Sequence, residues 1–343
     1  QQTSVVISGV AVLTMLIVAM GMRRHEITAP VLYPASWSLL LTISLVGIGM
    51  FAFKALVIDN VDSPLRVTGL QEGVLRGVDM PSTPDARNFG GALHLLGTSA
   101  LAQDAYSTGD TLSLDLFWTL ADAPTERDYR SILQLVNAQG FVVAQESNFT
   151  PGGLATRHWL RGYYTQETIT LTIPSYLPPD TYQLVIGVYD TETNARLDLL
   201  NSAGNPTGVD LNWLAVPITR SDMPADAPPM HLVNTDSLGL VSLEGIPSDA
   251  QIGDEIRADF LWRLNQALPD EALDVALVWE NSIQMASVSL PELVIGYSLS
   301  EWEAGDTWRG IHRLYVPPTL EAGAYDLSLA INGVRYALDM RMA

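Results

Sequence analysis

The chain contains no cysteine and a single lysine, Lys54, among its 343 residues. Without cysteine it has no disulfide and no thiolate chemistry, although this absence does not decide the compartment. Its 18 basic residues stand against 38 acidic ones, and from Val67 onward 35 acidic residues face 14 basic ones, a net charge of −21. Because such a surface repels phosphate backbones, nucleic acid is disfavoured as a partner.

Recognisable catalytic and metal-binding motifs are also missing. The five histidines are scattered, with no His-Glu-x-x-His pair, and no Gly-x-Ser-x-Gly segment is present. The acidic turn at Asp190 and Glu192 has oxygens suited to calcium, but a single turn of this kind is typical of a solvated surface. The sequence therefore predicts no metal, no cofactor and no catalytic residue, and so a protein that is not an enzyme.

The strongest positive signal is an internal repeat. Residues 109–118 and 253–262 both begin with Gly-Asp, alternate apolar residues and end on tryptophan. Downstream landmarks keep the same register, with offsets of 143 or 144 residues, and the paired residues are Trp118 and Trp262, Trp159 and Trp302, Gly162 and Gly305, and Tyr182 and Tyr325. This periodicity indicates two tandem domains of one fold.

Each repeat alternates apolar residues with a period of two and has Gly, Pro and Asp turns but no convincing amphipathic helix. This pattern predicts an all-β chain of tandem antiparallel sandwiches, immunoglobulin-like or jelly-roll-like. The expected order is a tether over residues 61–90, a sandwich over 91–220, a proline-rich joint over 221–231 and a second sandwich over 232–343. The short joint predicts a preferred angle between the sandwiches.

Residues 1–60 differ from the rest by their long apolar runs. Residues 4–22 carry no charge, and residues 36–58 carry only Lys54. As helices these runs span about 28 and 34 Å, close to the ~30 Å of a bilayer core, which predicts a transmembrane helical hairpin. Arg23 and Arg24 place the connecting loop in the cytoplasm, so the β domains lie outside it, with Lys54 reaching the far interface. Residues 1–3 lack the basic region of a signal peptide, which favours a retained span.

Several motifs of the first repeat resemble a known family. The motifs are Asn88-Phe89-Gly90, Leu95-Leu96-Gly97, the 109–118 segment, Asp128-Tyr129, 140–145, Thr156 with Trp159 and Gly162, 177–182, 187–190 and Arg196-Leu197. They resemble the extracytoplasmic β-sandwich module at the C-terminal end of bacterial membrane glycosyltransferases of the dolichyl-phosphate-mannose type, where the module follows the last membrane span. Asp180 stands where the pattern has glycine. The many-spanning catalytic unit has no counterpart here, so the resemblance implies an accessory module.

A candidate binding loop surrounds Trp159 in the first repeat. Its aromatic and cationic side chains are suited to docking a protein or stacking on a glycan. The recurrence of Trp159 as Trp302 favours a structural plug for the tryptophans. Asn148, Phe149 and Thr150 beside this loop form a glycosylation sequon, which Pro151 disfavours. The candidate residues are Arg157, His158, Trp159, Arg161, Tyr163 and Tyr164.

Three hypotheses of function follow. The first is a non-catalytic, integral protein of the bacterial cytoplasmic membrane, an accessory or structural subunit of a larger complex. Its helical hairpin would contact the lipid bilayer and other membrane subunits, and its sandwiches would contact protein or glycan. The second is the C-terminal part, or a split subunit, of a membrane glycosyltransferase that guides an acceptor. The third is a surface-assembly or adhesion protein.

Overall fold

The computed structural model describes residues 32–53, 70–72, 87–121, 125–220, 232–266 and 273–342. The chain divides into two units, residues 1–69 and residues 70–343. In the first unit, helix α1 extends over Leu32–Phe53 and exposes the apolar side chains Leu45, Val46, Ile48, Met50, Phe51 and Phe53. Within the described ranges, no helix combines the length and hydropathy needed to cross a membrane. The first predicted span, its neighbours Arg23 and Arg24, and Lys54 lie outside the described residues.

The second unit begins with a β-sandwich, called sandwich 1. One sheet has the order β1-β8-β5-β3-β2-β10-β11 and the other the order β4-β12-β9-β6-β7. The strands are β1 Leu70–Glu72, β2 Asn88–Phe89, β3 Leu93–Thr98, β4 Tyr106–Ser107, β5 Thr111–Leu120, β6 Tyr129–Val136, β7 Val142–Asn148, β8 Tyr163–Thr172, β9 Asp180–Asp190, β10 Leu199–Leu200, β11 Pro206–Gly208 and β12 Leu211–Thr219.

Two further four-stranded sheets form sandwich 2, with the orders β13-β14-β15-β18 and β17-β16-β19-β20. Its strands are β13 Val233–Asn234, β14 Leu238–Glu244, β15 Glu255–Leu264, β16 Val275–Glu280, β17 Met285–Ser289, β18 Thr307–Tyr315, β19 Tyr325–Ile331 and β20 Val334–Met342. Each sandwich has its own core of buried side chains drawn from both of its sheets. The predicted all-β architecture is confirmed.

The repeat is visible in the strand order itself. Strands β8-β5-β3 and β12-β9-β6-β7 of sandwich 1 correspond to β18-β15-β14 and β20-β19-β16-β17 of sandwich 2. In β5 and β15 the alternating apolar residues are buried, ending at Trp118 and Trp262, both fully inaccessible to solvent. A period of two with one buried face fixes the register, because a slip of one residue would turn the apolar side chains outward.

Part of the predicted tether belongs to the first sandwich. Strand β1 pairs with the start of β8, and β2 pairs with β3 and β10. Leu70–Glu72 extends the edge of one sheet, and Asn88–Phe89 lies inside it.

A buried tyrosine ties each sandwich to the turn before one strand. The Tyr182 hydroxyl donates to the Pro178 carbonyl at 3.0 Å, and the Tyr325 hydroxyl donates to the Glu321 carbonyl at 2.7 Å. Burial raises the pKa of the Tyr182 hydroxyl. This bond across four residues is the tyrosine corner of immunoglobulin-type sandwiches.

Removing either corner hydroxyl should destabilise its sandwich. We expect Tyr182→Phe and Tyr325→Phe each to lower the free energy of unfolding by about 1 kcal/mol, because the hydrogen bond between the tyrosine hydroxyl and the turn carbonyl is lost. Urea titration of the full chain, followed by tryptophan fluorescence, measures the change. Tyr315→Phe is the control, since the exposed Tyr315 hydroxyl donates to the side chain of Glu255 at the surface. Equal losses in all three variants would contradict a special role for the corner.

The two sandwiches contact each other directly. At one point Arg220, which follows β12, donates to the buried carboxylate of Asp306 at 2.7 Å and to the Glu301 carbonyl at 3.2 Å. Its guanidinium carbon lies 5.8 Å from the centre of the Trp308 ring. Arg220 immediately precedes the predicted joint, whose residues 221–231 lie outside the described ranges, so the last residue of sandwich 1 is anchored on sandwich 2.

The second point of contact is an arginine clasp. Phe141, at the tip of the β6–β7 hairpin, is buried between Arg257 and Arg313, whose guanidinium carbons lie 5.4 and 5.3 Å from its ring centre. Arg257 also donates to the Val142 carbonyl at 3.0 Å. The backbone amide of Arg309 donates to the Tyr176 carbonyl at 2.8 Å. One end of sandwich 1 therefore rests on β15 and β18 of sandwich 2.

Candidate functional site

The opposite end of sandwich 1 is formed by the loops before β6, after β7 and after β9. The Thr156 hydroxyl accepts from the Tyr129 amide at 2.9 Å and donates to the Arg127 carbonyl at 3.0 Å. The Thr191 amide donates to the Asp128 carbonyl at 3.0 Å. These bonds hold the three loops together as one surface, which we call the loop end.

Asp190 organises the acidic turn that also contains Glu192. Its carboxylate accepts from the amides of Glu192 and Thr193, both at 2.9 Å, and pairs with Arg127 at 2.7 Å. The Thr193 amide, followed by the Arg127 guanidinium, lowers the pKa of Asp190 to about 2. The carboxylate is thus engaged in closing the turn and in joining it to the loop before β6.

The six predicted binding residues separate into buried and exposed groups. Trp159 is 4% exposed, and its indole donates to the Leu154 carbonyl at 2.9 Å. Trp302 is buried in the same way, and both follow a short 3₁₀ turn, Thr156–His158 and Leu299–Glu301. In this position Trp159 closes the end of a core, and its ring is not open to a ligand.

The other candidates lie at or near the surface. Arg157 is exposed and forms an ion pair with Asp128, while Arg161 is exposed and His158 is half-buried. Tyr163 and Tyr164 are half-buried and belong to β8, where their backbone pairs with β1. They are strand residues, not loop residues as the sequence suggested. Of the six candidate residues, only Arg157 and Arg161 are exposed, as the side chains of a binding loop are expected to be.

A second group of side chains, not singled out from the sequence, lies beside the loop end. The guanidinium of Arg130 stands 5.1 Å from the ring centre of Phe149 and 4.9 Å from that of Tyr189. The guanidinium of Arg196 stands 5.2 Å from the same Tyr189 ring. Phe149 is 58% exposed. We call Phe149, Arg130, Tyr189 and Arg196 the cation–aromatic row.

Glycine makes part of this row possible. A Cβ atom on Gly187 would lie 2.8 Å from Nη2 of Arg196 and 3.0 Å from a methyl of Ile132. Because Gly187 has no Cβ atom, the Arg196 side chain can lie across the strand. There it donates to Oε1 of Gln134 at 2.9 Å and pairs with Asp210. The recognised motif of Gly187, Tyr189 and Arg196 therefore has a packing explanation.

The row exists in one repeat only. Arg130 pairs with Tyr189 across β6 and β9. In sandwich 2 the positions at the same register hold Asp274 and Asn332, which bond to each other through the Asp274 amide and the Asn332 side chain. A feature that one repeat has and the other lacks is not required by the common fold, so it is a candidate for function.

In the part of the chain that the structure describes, no three His, Asp or Glu side chains are grouped so as to hold an ion.

No protein-family model matches the chain, and no curated protein matches it. Among solved structures, the C-terminal domain of Wzt is similar at a TM-score of 0.28 and 11% identity, over 39% of this chain and 77% of that one. The native conformation of E. coli alpha-2-macroglobulin gives 0.24 and 12%, over 78% and 15%. A putative membrane anchored protein from Corynebacterium diphtheriae gives 0.20 and 10%, over 73% and 58%. At such scores these likenesses carry no argument about function.

Proposed function

We propose that the chain is a non-catalytic, membrane-anchored subunit whose two sandwiches stand outside the bacterial cytoplasmic membrane and contact a larger membrane complex. The observation that carries this proposal is the cation–aromatic row. Arginine beside exposed aromatic rings is the composition of energetically important contacts in protein interfaces. Two further arginines lie on the loop end: Arg161, which is exposed, and Arg157, which pairs with Asp128.

The membrane part of the proposal rests on the apolar runs at residues 4–22 and 36–58 and on the arginines between them. Helix α1, with apolar side chains exposed on its described part, is the kind of helix that needs an apolar surrounding. The hairpin would bind the lipid bilayer and the membrane subunits, and the sandwiches would cover the outer face of the complex.

A glycan-guiding module of a membrane glycosyltransferase is the alternative. The family resemblance of the first repeat favours it, and aromatic rings are suited to stacking on sugars. Against it, two guanidinium groups lie beside the Tyr189 ring, and the Arg130 guanidinium also lies beside the Phe149 ring. This surface is therefore better suited to contact with a protein than to stacking on a glycan.

Copurification from native membranes in a mild detergent tests the proposal. We expect membrane subunits to accompany the wild-type chain in fixed stoichiometry. We also expect Arg130→Ala with Phe149→Ala to lower their yield by about tenfold or more, as loss of a central contact does. Ile252→Ala, on an exposed turn of sandwich 2, is the control. Recovery of the chain alone would contradict the proposal, and recovery with glycan that the double variant loses would establish the alternative.

A further inference from the structure

A buried polar cluster adjoins the cation–aromatic row of sandwich 1. Glu167 of β8 is 1% exposed, and its carboxylate accepts from the Trp118 indole at 2.7 Å and from the Ser131 hydroxyl. The side chain of Asn148, the last residue of β7, also hydrogen bonds to this carboxylate. We call Trp118, Ser131, Asn148 and Glu167 the buried polar cluster. A carboxylate removed from water is costly, and these three donors offset part of that cost.

The fold itself does not require this cluster. In sandwich 2 the register of the strands replaces its polar members by residues without a polar side chain, and the replacements are Val275 for Ser131, Leu290 for Asn148 and Gly310 for Glu167. Val275 and Leu290 are each 1% exposed. Within the described residues, the indole nitrogen of Trp262, the equivalent of Trp118, has no hydrogen-bond partner. The same strands therefore pack around an apolar interior when no carboxylate is present.

The buried polar cluster and the cation–aromatic row occur in the same repeat. Two members of the cluster are chain neighbours of two members of the row, since Ser131 follows Arg130 and Asn148 precedes Phe149. In sandwich 2, where the cluster is replaced by apolar residues, the places of Arg130 and Phe149 are taken by Asp274 and Pro291. A carboxylate that the fold does not need, found only beside the row, is expected to serve the row.

Asn148 connects the buried carboxylate to the exposed ring. Its side chain bonds to Glu167, and its Oδ1 accepts from the Thr150 amide at 3.0 Å. Phe149 lies between these two bonded residues, at the point where the chain leaves the edge strand β7. Because Phe149 is 58% exposed, few packing contacts fix its ring beside the Arg130 guanidinium. The orientation of the Asn148 side chain therefore controls where the ring lies.

The charge of Glu167 decides whether it can hold Asn148. An ionised carboxylate only accepts hydrogen bonds, whereas protonation turns one of its oxygens into a donor and removes an acceptor from the groups around it. Burial raises the pKa of Glu167 above 4.5. The groups that face it from β5, β6 and β7 are the uncharged members of the cluster. The charged residues of these strands are Asp115, which accepts from Thr168, Arg130, which lies against the rings of the row, and Glu146, which is exposed.

We propose that Glu167 is a positioning residue for the cation–aromatic row: its carboxylate orients Asn148, and Asn148 orients the turn that presents Phe149 beside Arg130. Removing the carboxylate, by protonation or by substitution, releases the ring from this position. The effect on a partner rests on the proposed function, in which the row is the contact with a membrane subunit. The placement of Phe149 does not depend on a partner and can be measured without one.

Fluorine NMR of the full chain in detergent, with p-fluorophenylalanine at position 149, measures that placement. Over about pH 4 to 8 we expect the resonance to shift in one transition with a midpoint above 4.5, because the folded pKa of Glu167 lies above this value. The transition should be missing from Glu167→Gln. Glu146→Gln, which removes an exposed carboxylate from the same strand as Asn148, is the control and should keep it.

Copurification of membrane subunits at neutral pH measures the consequence for binding. Glu167→Gln and, separately, Asn148→Ala should each lower the yield of subunits by about threefold or more, the effect of losing a hydrogen bond that fixes a contact. Glu146→Gln should keep the wild-type yield. A residue that only stabilised the sandwich would lower the yield by unfolding it. Glu167→Gln should instead bind less while its thermal unfolding midpoint is no lower than that of the wild type, because it buries no ionised group.

The inference is overturned if the resonance of position 149 shows no transition above pH 4.5, or if Glu167→Gln keeps that transition. It is also overturned if subunits accompany the wild-type chain and Glu167→Gln retains their full yield. If no subunit accompanies the wild-type chain, the proposed function fails, and the fluorine resonance alone decides whether Glu167 positions Phe149.

Discussion

Gly310→Ala is expected to lower the free energy of unfolding by roughly 3 kcal/mol or more, the upper end of the cost of overpacking a core. A Cβ atom at this position in β18 would lie 2.0 Å from the Leu293 carbonyl oxygen and 3.3 Å from Nε2 of His312. The nearest atom is backbone and cannot rotate away, so the segment at Leu293 must move. Its hydrogen bond with the His312 ring, 2.9 Å in length, would be lost with it.

Urea titration of the full chain in detergent, followed by tryptophan fluorescence, measures this effect. Gly323→Ala is the matched control in the same sandwich, because its added Cβ would meet nothing nearer than Nδ2 of Asn281 at 4.0 Å. We expect the control to remain within about 0.5 kcal/mol of the wild type. If Gly310→Ala behaves like the control, the packing of the Leu293 segment against β18 is not as described.

Glu167→Gln is expected to stabilise the protein at neutral pH, because the neutral amide avoids the cost of keeping an ionised carboxylate away from water. Glu167 holds in sandwich 1 the position of Gly310 in sandwich 2, and it is 1% exposed. Its carboxylate accepts from the Trp118 indole at 2.7 Å, from the Ser131 hydroxyl and from the Asn148 side chain. Burial nevertheless raises the pKa of Glu167 above its ordinary value of 4.5.

The dependence of stability on pH follows from the direction in which folding shifts the pKa of Glu167. Because the pKa of Glu167 is higher in the folded protein than in the unfolded chain, its favourable contribution is complete below pH 4.5 and is lost as the pH rises through the folded value. Glutamine does not titrate, so the advantage of Glu167→Gln should grow with pH over that window. Thermal or urea unfolding at a series of pH values measures it.

Glu146→Gln, which removes an exposed carboxylate from β7, is the control and should change the free energy of unfolding by less than about 0.5 kcal/mol. An advantage of Glu167→Gln that stays constant with pH, or reverses, would show that the buried carboxylate is not the origin of the effect.

The strands that could be predicted are those whose own residues alternate between apolar and polar. The alternation that ends at Trp118 and Trp262 appears as β5 and β15, and the repeat register placed Trp159 and Trp302 in equivalent buried positions. Both features depend on periodicity within a few residues or on comparison of the two repeats. The membrane hairpin and its orientation remain predictions.

What could not be predicted depends on pairing between distant segments. Tyr163 and Tyr164 were assigned to a loop, but they begin β8, which pairs with β5 and with β1, both distant in the sequence. The contact of Arg130 with Tyr189 requires the register of β6 against β9. The clasp around Phe141 requires two domains to meet. A period of two does not specify which strands become neighbours.

The clasp also gives the tandem a direction. Its arginines belong to sandwich 2 and its phenylalanine to sandwich 1. The two repeats therefore contribute different residues to the contact between them. A chain made of two copies of sandwich 1 would keep the strands of that fold. It would lack the arginines of the clasp, so the contact around Phe141 would not form. The two sandwiches are therefore not interchangeable, because the clasp needs Phe141 from sandwich 1 and both Arg257 and Arg313 from sandwich 2.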